Sequence, residues 1–142
     1  MSRPLIAPLA VAFAVLQTPS FAADLTVSIS GFKSANGRAI CRLYNSSSSF
    51  PGSGALNTRR ASISGNRSIC RFKNLPKGRY AVAVAHDANG NGKMDKTIIG
   101  LPKEGFGFSR DAKLRFGPPS FSKAAFPMNG SKKTITLRMQ YL

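Results

Sequence analysis

From Thr134 to Tyr141 the chain alternates without a break, with Ile135, Leu137, Met139 and Tyr141 on one side and Thr134, Thr136, Arg138 and Gln140 on the other. Successive side chains of a strand point to opposite faces, whereas a helix returns to one face only every three or four residues. This order therefore predicts a half-buried strand. The same period recurs at Leu25, Val27 and Ile29, at Cys41 and Leu43, and on both sides of a Gly65-Asn66 turn, in Ala61 to Ile63 and Ser68 to Phe72. In Tyr80 to His86 one face carries Tyr80, Val82, Val84 and His86 and the other only Ala81, Ala83 and Ala85, so both faces are apolar and the strand is central. Thr97 to Ile99 is a further short strand. After the first residues no stretch keeps a helical period, apart from a single turn at Ser120 to Ala125. The expected fold is all-β, an antiparallel immunoglobulin- or prealbumin-like sandwich of about seven strands with one long irregular loop from Gly100 to Pro127.

The start of the chain reads differently. Met1-Ser2-Arg3 is short and positive, Leu5 to Leu16 is apolar, and Ser20 and Ala22 are the small residues of a cleavage site. This pattern predicts a signal peptide over residues 1–22 and one folded domain over 23–142. The apolar run is too short to cross a hydrocarbon layer of about 30 Å as a helix, and no later segment is long enough, so no transmembrane segment is expected. The expected location is periplasmic or secreted. Export makes a disulfide between Cys41 and Cys70, the two cysteines, the natural reading, with two buried free thiols as the alternative. A bridge there closes a loop of about 30 residues, which the chain-entropy model values at about 3 to 4 kcal/mol.

The most specific local pattern is Asp87-Ala88-Asn89-Gly90-Asn91-Gly92-Lys93-Met94-Asp95. It matches the opening of a calcium loop. Asp87, Asn89, Asn91 and Asp95 place side-chain oxygens where a hard cation needs them, Gly92 stands at the sharp bend, and Lys93 supplies a backbone carbonyl. The pattern is incomplete, because Ile98 replaces the closing bidentate Glu and Lys93 and Lys96 offset the two carboxylates. The other reading is a tight turn between strands, for which Asn, Asp and Gly are equally suited. Calcium, bound weakly, is the one cofactor the sequence suggests.

His86 is the only histidine. A hydrolase would have to bring Glu104 or Asp111 to it from the long loop, because Asp87 points to the opposite face of the strand. No nucleophile motif accompanies it, so the leading expectation is a non-enzymatic binding or structural module. His86, Glu104, Phe106 and Phe108 are its candidate ligand surface. Phe106, Phe108, Phe116, Phe121 and Phe126 punctuate the long loop, either capping one end of the sandwich core or forming an exposed aromatic shelf.

Twenty-one Lys and Arg against five Asp and Glu give a formal net charge of +16, spread along the chain. With an apolar share of 42% the composition is that of a packed domain rather than a basic tail. Diffuse charge of this size favours salt-sensitive association with anionic cell-envelope components. Specific nucleic-acid binding is not expected. In the Lys103-Glu104-Gly105-Phe106-Gly107-Phe108-Ser109-Arg110 segment Glu104 interrupts the basic-glycine start of an RNA-recognition strand, Ser109 stands where that strand needs a branched apolar residue, and the flanking chain lacks the two helices of that fold.

Four motifs in fixed order then carry a resemblance: Tyr80-Ala81-Val82-Ala83-Val84-Ala85-His86-Asp87, the Asn89 to Asp95 loop, Gly100-Leu101-Pro102-Lys103-Glu104-Gly105-Phe106-Gly107-Phe108-Ser109, and Gly117-Pro118-Pro119-Ser120-Phe121. They resemble the bacterial exported family catalogued as domain of unknown function 2141, over about Leu25 to Tyr141. The resemblance implies a small exported β-sandwich of uncharacterised role and transfers no catalytic residues.

Overall fold

The computed structural model describes residues 2–12, 22–92 and 104–142. Residues 2–12 carry no secondary structure, and Leu5, Ile6 and Leu9 are almost fully exposed, so these residues contribute nothing to the core. The first strand begins at Ala23, the residue after the expected cleavage point.

Eight strands follow among the described residues: β1 (Ala23–Ser30), β2 (Arg38–Tyr44), β3 (Asn57–Ala61), β4 (Ser68–Leu75), β5 (Gly78–Asp87), β6 (Phe106–Phe108), β7 (Phe126–Met128) and β8 (Lys133–Arg138). One sheet has the order β4-β1-β8 and the other β3-β2-β5-β6, with β7 also on β5. The all-β sandwich is therefore the fold, and the alternation at Leu25 to Ile29, Cys41 to Leu43, Ser68 to Phe72, Tyr80 to His86 and the C-terminal run from Thr134 to Arg138 falls within strands. The strand expected at Ala61 to Ile63 instead lies earlier, at Asn57–Ala61, and pairs with β2 rather than across the Gly65-Asn66 turn, which only an isolated Ser64–Arg67 bridge closes. The Thr97 to Ile99 strand lies outside the described residues. One pairing departs from a purely antiparallel arrangement, because β1 and β8 run parallel. They come from opposite ends of the chain, so no hairpin turn dictates their relative direction.

Leu25, Val27 and Ile29 of β1 meet Leu43, Val82 and Phe72 in a core between the sheets, every one of them fully buried. Burial at roughly 25 cal/mol per Å² of apolar surface is what holds the layers together. A disulfide between Cys41 on β2 and Cys70 on β4 staples one sheet to the other across this core, with a Cα–Cα distance of 6.6 Å.

The long loop does not simply cap an end. Its first aromatic pair forms β6, with Phe106 and Phe108 facing outward and Gly107 facing the core. A Cβ at Gly107 would sit 2.8 Å from Leu137 Cδ1, so the glycine lets β8 close onto the sheet. The Gly-Phe-Gly-Phe run is thus a period-two strand with rings on one face and nothing on the other. The turn expected near Ser120 is a short helix, α1 (Phe121–Ala124). β7 contains Pro127, tolerated because β7 is an edge strand.

β6 and β7 line the same edge of β5, one opposite Ala83 to Ala85 and the other opposite Gly78 to Tyr80. Between them, on this edge, no strand among the described residues faces Val82. Ser109, fully buried, fills the gap: its Oγ accepts from the Val82 N–H at 2.9 Å and donates to the Ala124 carbonyl at 2.6 Å. One hydroxyl thereby ties sheet, loop and α1 together.

Candidate functional site

β5 divides the chemistry of the molecule into two faces. On the inner face, His86 is buried with both ring nitrogens engaged. Nε2 lies 2.8 Å from the Asn36 carbonyl, which can only accept, so this nitrogen carries the proton. In the neutral ring Nδ1 then accepts from the Tyr141 hydroxyl at 2.8 Å, and the Lys33 N–H donates to the same Tyr141 oxygen at 3.0 Å. Phe32 meets the imidazole edge-on at 5.3 Å between centroids. Gly37, at φ +67°, holds the Asn36 turn close, because a Cβ there would collide with the Asp87 carbonyl. The two carboxylates considered as partners of His86 face other groups: Glu104 Oε2 accepts from the Ala88 N–H at 2.8 Å and Asp111 Oδ1 from the Arg138 N–H at 2.9 Å. Burial pushes the Tyr141, Tyr80 and Tyr44 hydroxyls above the usual phenol range, opposed at Tyr141 by the Lys33 N–H and at Tyr44 by the nearby Arg42 guanidinium.

At the end of β5 the Asp87 turn folds on itself. Asp87 Oδ1 accepts from the Asn91 N–H at 3.1 Å, Oδ2 from the Gly92 N–H at 2.8 Å, and Asn89 Oδ1 from the same Asn91 N–H at 3.2 Å. Oxygens from Asp87 and Asn89 therefore converge on one donor. Lys93 and Asp95 lie outside the described residues. Among the described residues no group of three or more His, Cys, Asp or Glu side chains could hold a metal ion.

The outer face of the five-stranded sheet is built from small residues in the middle and large ones at the sides. Cross-strand register places Ile40 beside Ala85, Arg42 beside Ala83 and Tyr44 beside Ala81. On the other side Phe106 stands opposite Ala85 and Phe108 opposite Ala83. Three alanines thus form a floor between two rows of larger side chains. The lower part of this trough is filled. Phe50 packs edge-on against Tyr44 at 5.2 Å and against Phe108 and Phe121 at 6.1 Å, and with Ala124 it buries Ala81 completely. Tyr44 fastens the Phe50 loop by donating toward the Pro51 and Gly52 carbonyls at 2.9 and 2.7 Å.

The upper part is open. A groove of about 420 Å³ lies over Ala83 and Ala85, walled by Ile40, Phe106, Phe108 and Leu114. A smaller recess of about 260 Å³ adjoins it, lined by Ser53 and Thr58, and Arg42 lines both. Alternation along the strand thus separates the four residues expected to form one ligand surface. Phe106 and Phe108 wall the groove, His86 lies on the inner face, and Glu104 holds the Ala88 N–H. Phe116 is fully exposed and Phe126 belongs to the inter-sheet core. The residues that sequence reasoning passed over are Arg42, Tyr44 and Ser109. The signal for the first two was the alternation of β2 itself, whose outward positions follow from the inward Cys41 and Leu43.

These features define a class: a small β-sandwich stapled between its sheets by one disulfide, with an aromatic-walled groove on the outside of the larger sheet. The chain belongs to the family described as uncharacterized protein conserved in bacteria (DUF2141), whose model matches residues 27–136. No curated protein and no solved structure matches the chain. Among the described residues no helix is long and apolar enough to cross a membrane.

Proposed function

We propose that this protein is an exported, non-enzymatic binding module that takes its ligand in the groove on the outer face of the five-stranded sheet. The observation that carries this reading is the alanine floor. A central strand with alanine at three successive outward positions leaves volume that the neighbouring Phe106 and Ile40 wall off, and pockets of 300 to 1,000 Å³ with apolar walls and few polar groups are the usual form of small-molecule sites. Export is supported by the inter-sheet disulfide and by a fold that starts at Ala23. The non-enzymatic reading is supported by His86, whose nitrogens are spent on Asn36 and Tyr141. The net charge of +16 supports residence near anionic envelope polymers.

The neutral apolar dye N-phenylnaphthylamine tests the groove directly. Its fluorescence rises on mixing with the parent protein and stays at the buffer level with the Ala83→Leu variant, whose larger side chain fills the floor. Equal dye binding by both proteins would place the ligand elsewhere.

The convergence of Asp87 and Asn89 oxygens supports a second element of the proposal, that the Asp87 to Asp95 turn holds calcium. An Asp carboxylate offers about four lone-pair sites and the two N–H bonds use half of them, so ligation remains open. Calcium at a hundredfold excess over its Kd stabilises by about 2.7 kcal/mol, which raises the melting temperature of the parent by roughly 8 to 15 °C relative to chelator. The Asp87→Ala variant melts lower in both buffers because the turn loses two hydrogen bonds, and its calcium-dependent rise vanishes. A parent that melts identically with calcium and with chelator has no such site.

A further inference from the structure

We infer that the ligand of the groove is a small amphiphilic carboxylate, its apolar body lying on Ala83 and Ala85 and its carboxylate held by Arg42. This deepens the binding-module reading and rests on it. Three observations point the same way. Among the described residues lining the groove and the adjoining recess, Arg42 is the only charged one. Its position on β2 sets it where the two cavities meet, with apolar and aromatic side chains on one side and Ser53 and Thr58 on the other. Arg42 is half-buried, with its side chain against the Tyr44 hydroxyl, whose proton is already committed to the Pro51 and Gly52 carbonyls.

A half-buried arginine with no carboxylate beside it among the described lining residues is an anion site by its chemistry. It is always charged, presents a planar fork matched to a carboxylate, and is less strongly hydrated than an ammonium. Apolar walls lower the local dielectric and strengthen the pairing. The same walls exclude inorganic anions as the preferred ligand, because a fully hydrated ion gains nothing from Phe106, Phe108 and Ile40. An uncharged hydrocarbon would leave the Arg42 charge without a counter-charge. Amphiphilic carboxylates satisfy both halves, and the overall positive charge raises their concentration near the surface.

The test uses decanoate and its neutral analogue decanol on the full mature chain, each titrated to displace N-phenylnaphthylamine. Decanoate displaces the dye from the parent at a concentration about ten- to a hundredfold lower than decanol does, the span expected for a hydrogen-bonded charge. In Arg42→Gln this preference collapses while the dye still binds, and in Ala83→Leu neither compound binds, with circular dichroism of both variants matching the parent. Equal displacement by decanoate and decanol in the parent overturns the carboxylate assignment while leaving a groove-bound ligand intact. A preference for decanoate that survives in Arg42→Gln also overturns it. Failure of the dye to bind the parent at all defeats the groove reading itself, a result separate from the other two.

Discussion

Replacing Cys41 and Cys70 together by alanine lowers the melting temperature by roughly 10 to 20 °C, the shift expected for a loss of about 3 to 4 kcal/mol in a domain of this size. The bridge spans 29 residues of sequence and joins the two sheets rather than neighbours within one. Without it the unfolded chain regains the freedom of that loop, and the packed contact between β2 and β4 depends on the hydrophobic core alone. Both sulfurs are buried, so reductant reaches them only when the chain opens, and the variant rather than the reduced parent is the cleaner comparison. Thermal unfolding followed by circular dichroism measures the shift. A double variant that melts with the parent would show that the staple contributes nothing to the sandwich.

Ser109→Ala costs about 2 to 4 kcal/mol, because two buried backbone groups lose their partner at once, each worth about 1 to 3 kcal/mol when left unsatisfied. The Val82 N–H faces the gap between β6 and β7, and the Ala124 carbonyl closes α1 against it. The loss therefore falls on the layer that covers the lower trough, and dye binding in the groove weakens along with stability. Ser120→Ala, an exposed change in the same long segment, stays within about 0.5 kcal/mol and serves as the control. Denaturant unfolding of the three proteins decides between them. Equal midpoints for Ser109→Ala and the parent would mean that another group, water included, satisfies Val82.

What the amino-acid order determined by itself was local. Period-two alternation places β1, β5 and β8 and assigns their faces, since strand geometry ties side-chain direction to position parity and to nothing distant. The same parity applied to Ala81, Ala83 and Ala85 already announces a smooth outward face, and the even cysteine count, read with the expected export signal, anticipates the bridge. The Asp87 turn was legible for a similar reason, as its hydrogen bonds span five residues at most.

Only the tertiary structure decided what stands across from those faces. That Phe106 and Phe108 wall a groove rather than cap the sandwich depends on β6 pairing with β5 across some twenty residues of chain, in a register that no local rule specifies. The partnership of His86 with Asn36 and Tyr141 joins residues 50 and 55 positions away, and the place of Arg42 at the mouth of two cavities depends on where the Phe50 loop comes to rest. Such contacts form because burying rings and satisfying backbone groups is favourable wherever the chain can bring them together. Those gains belong to the assembled layers and leave no periodic trace in any one segment.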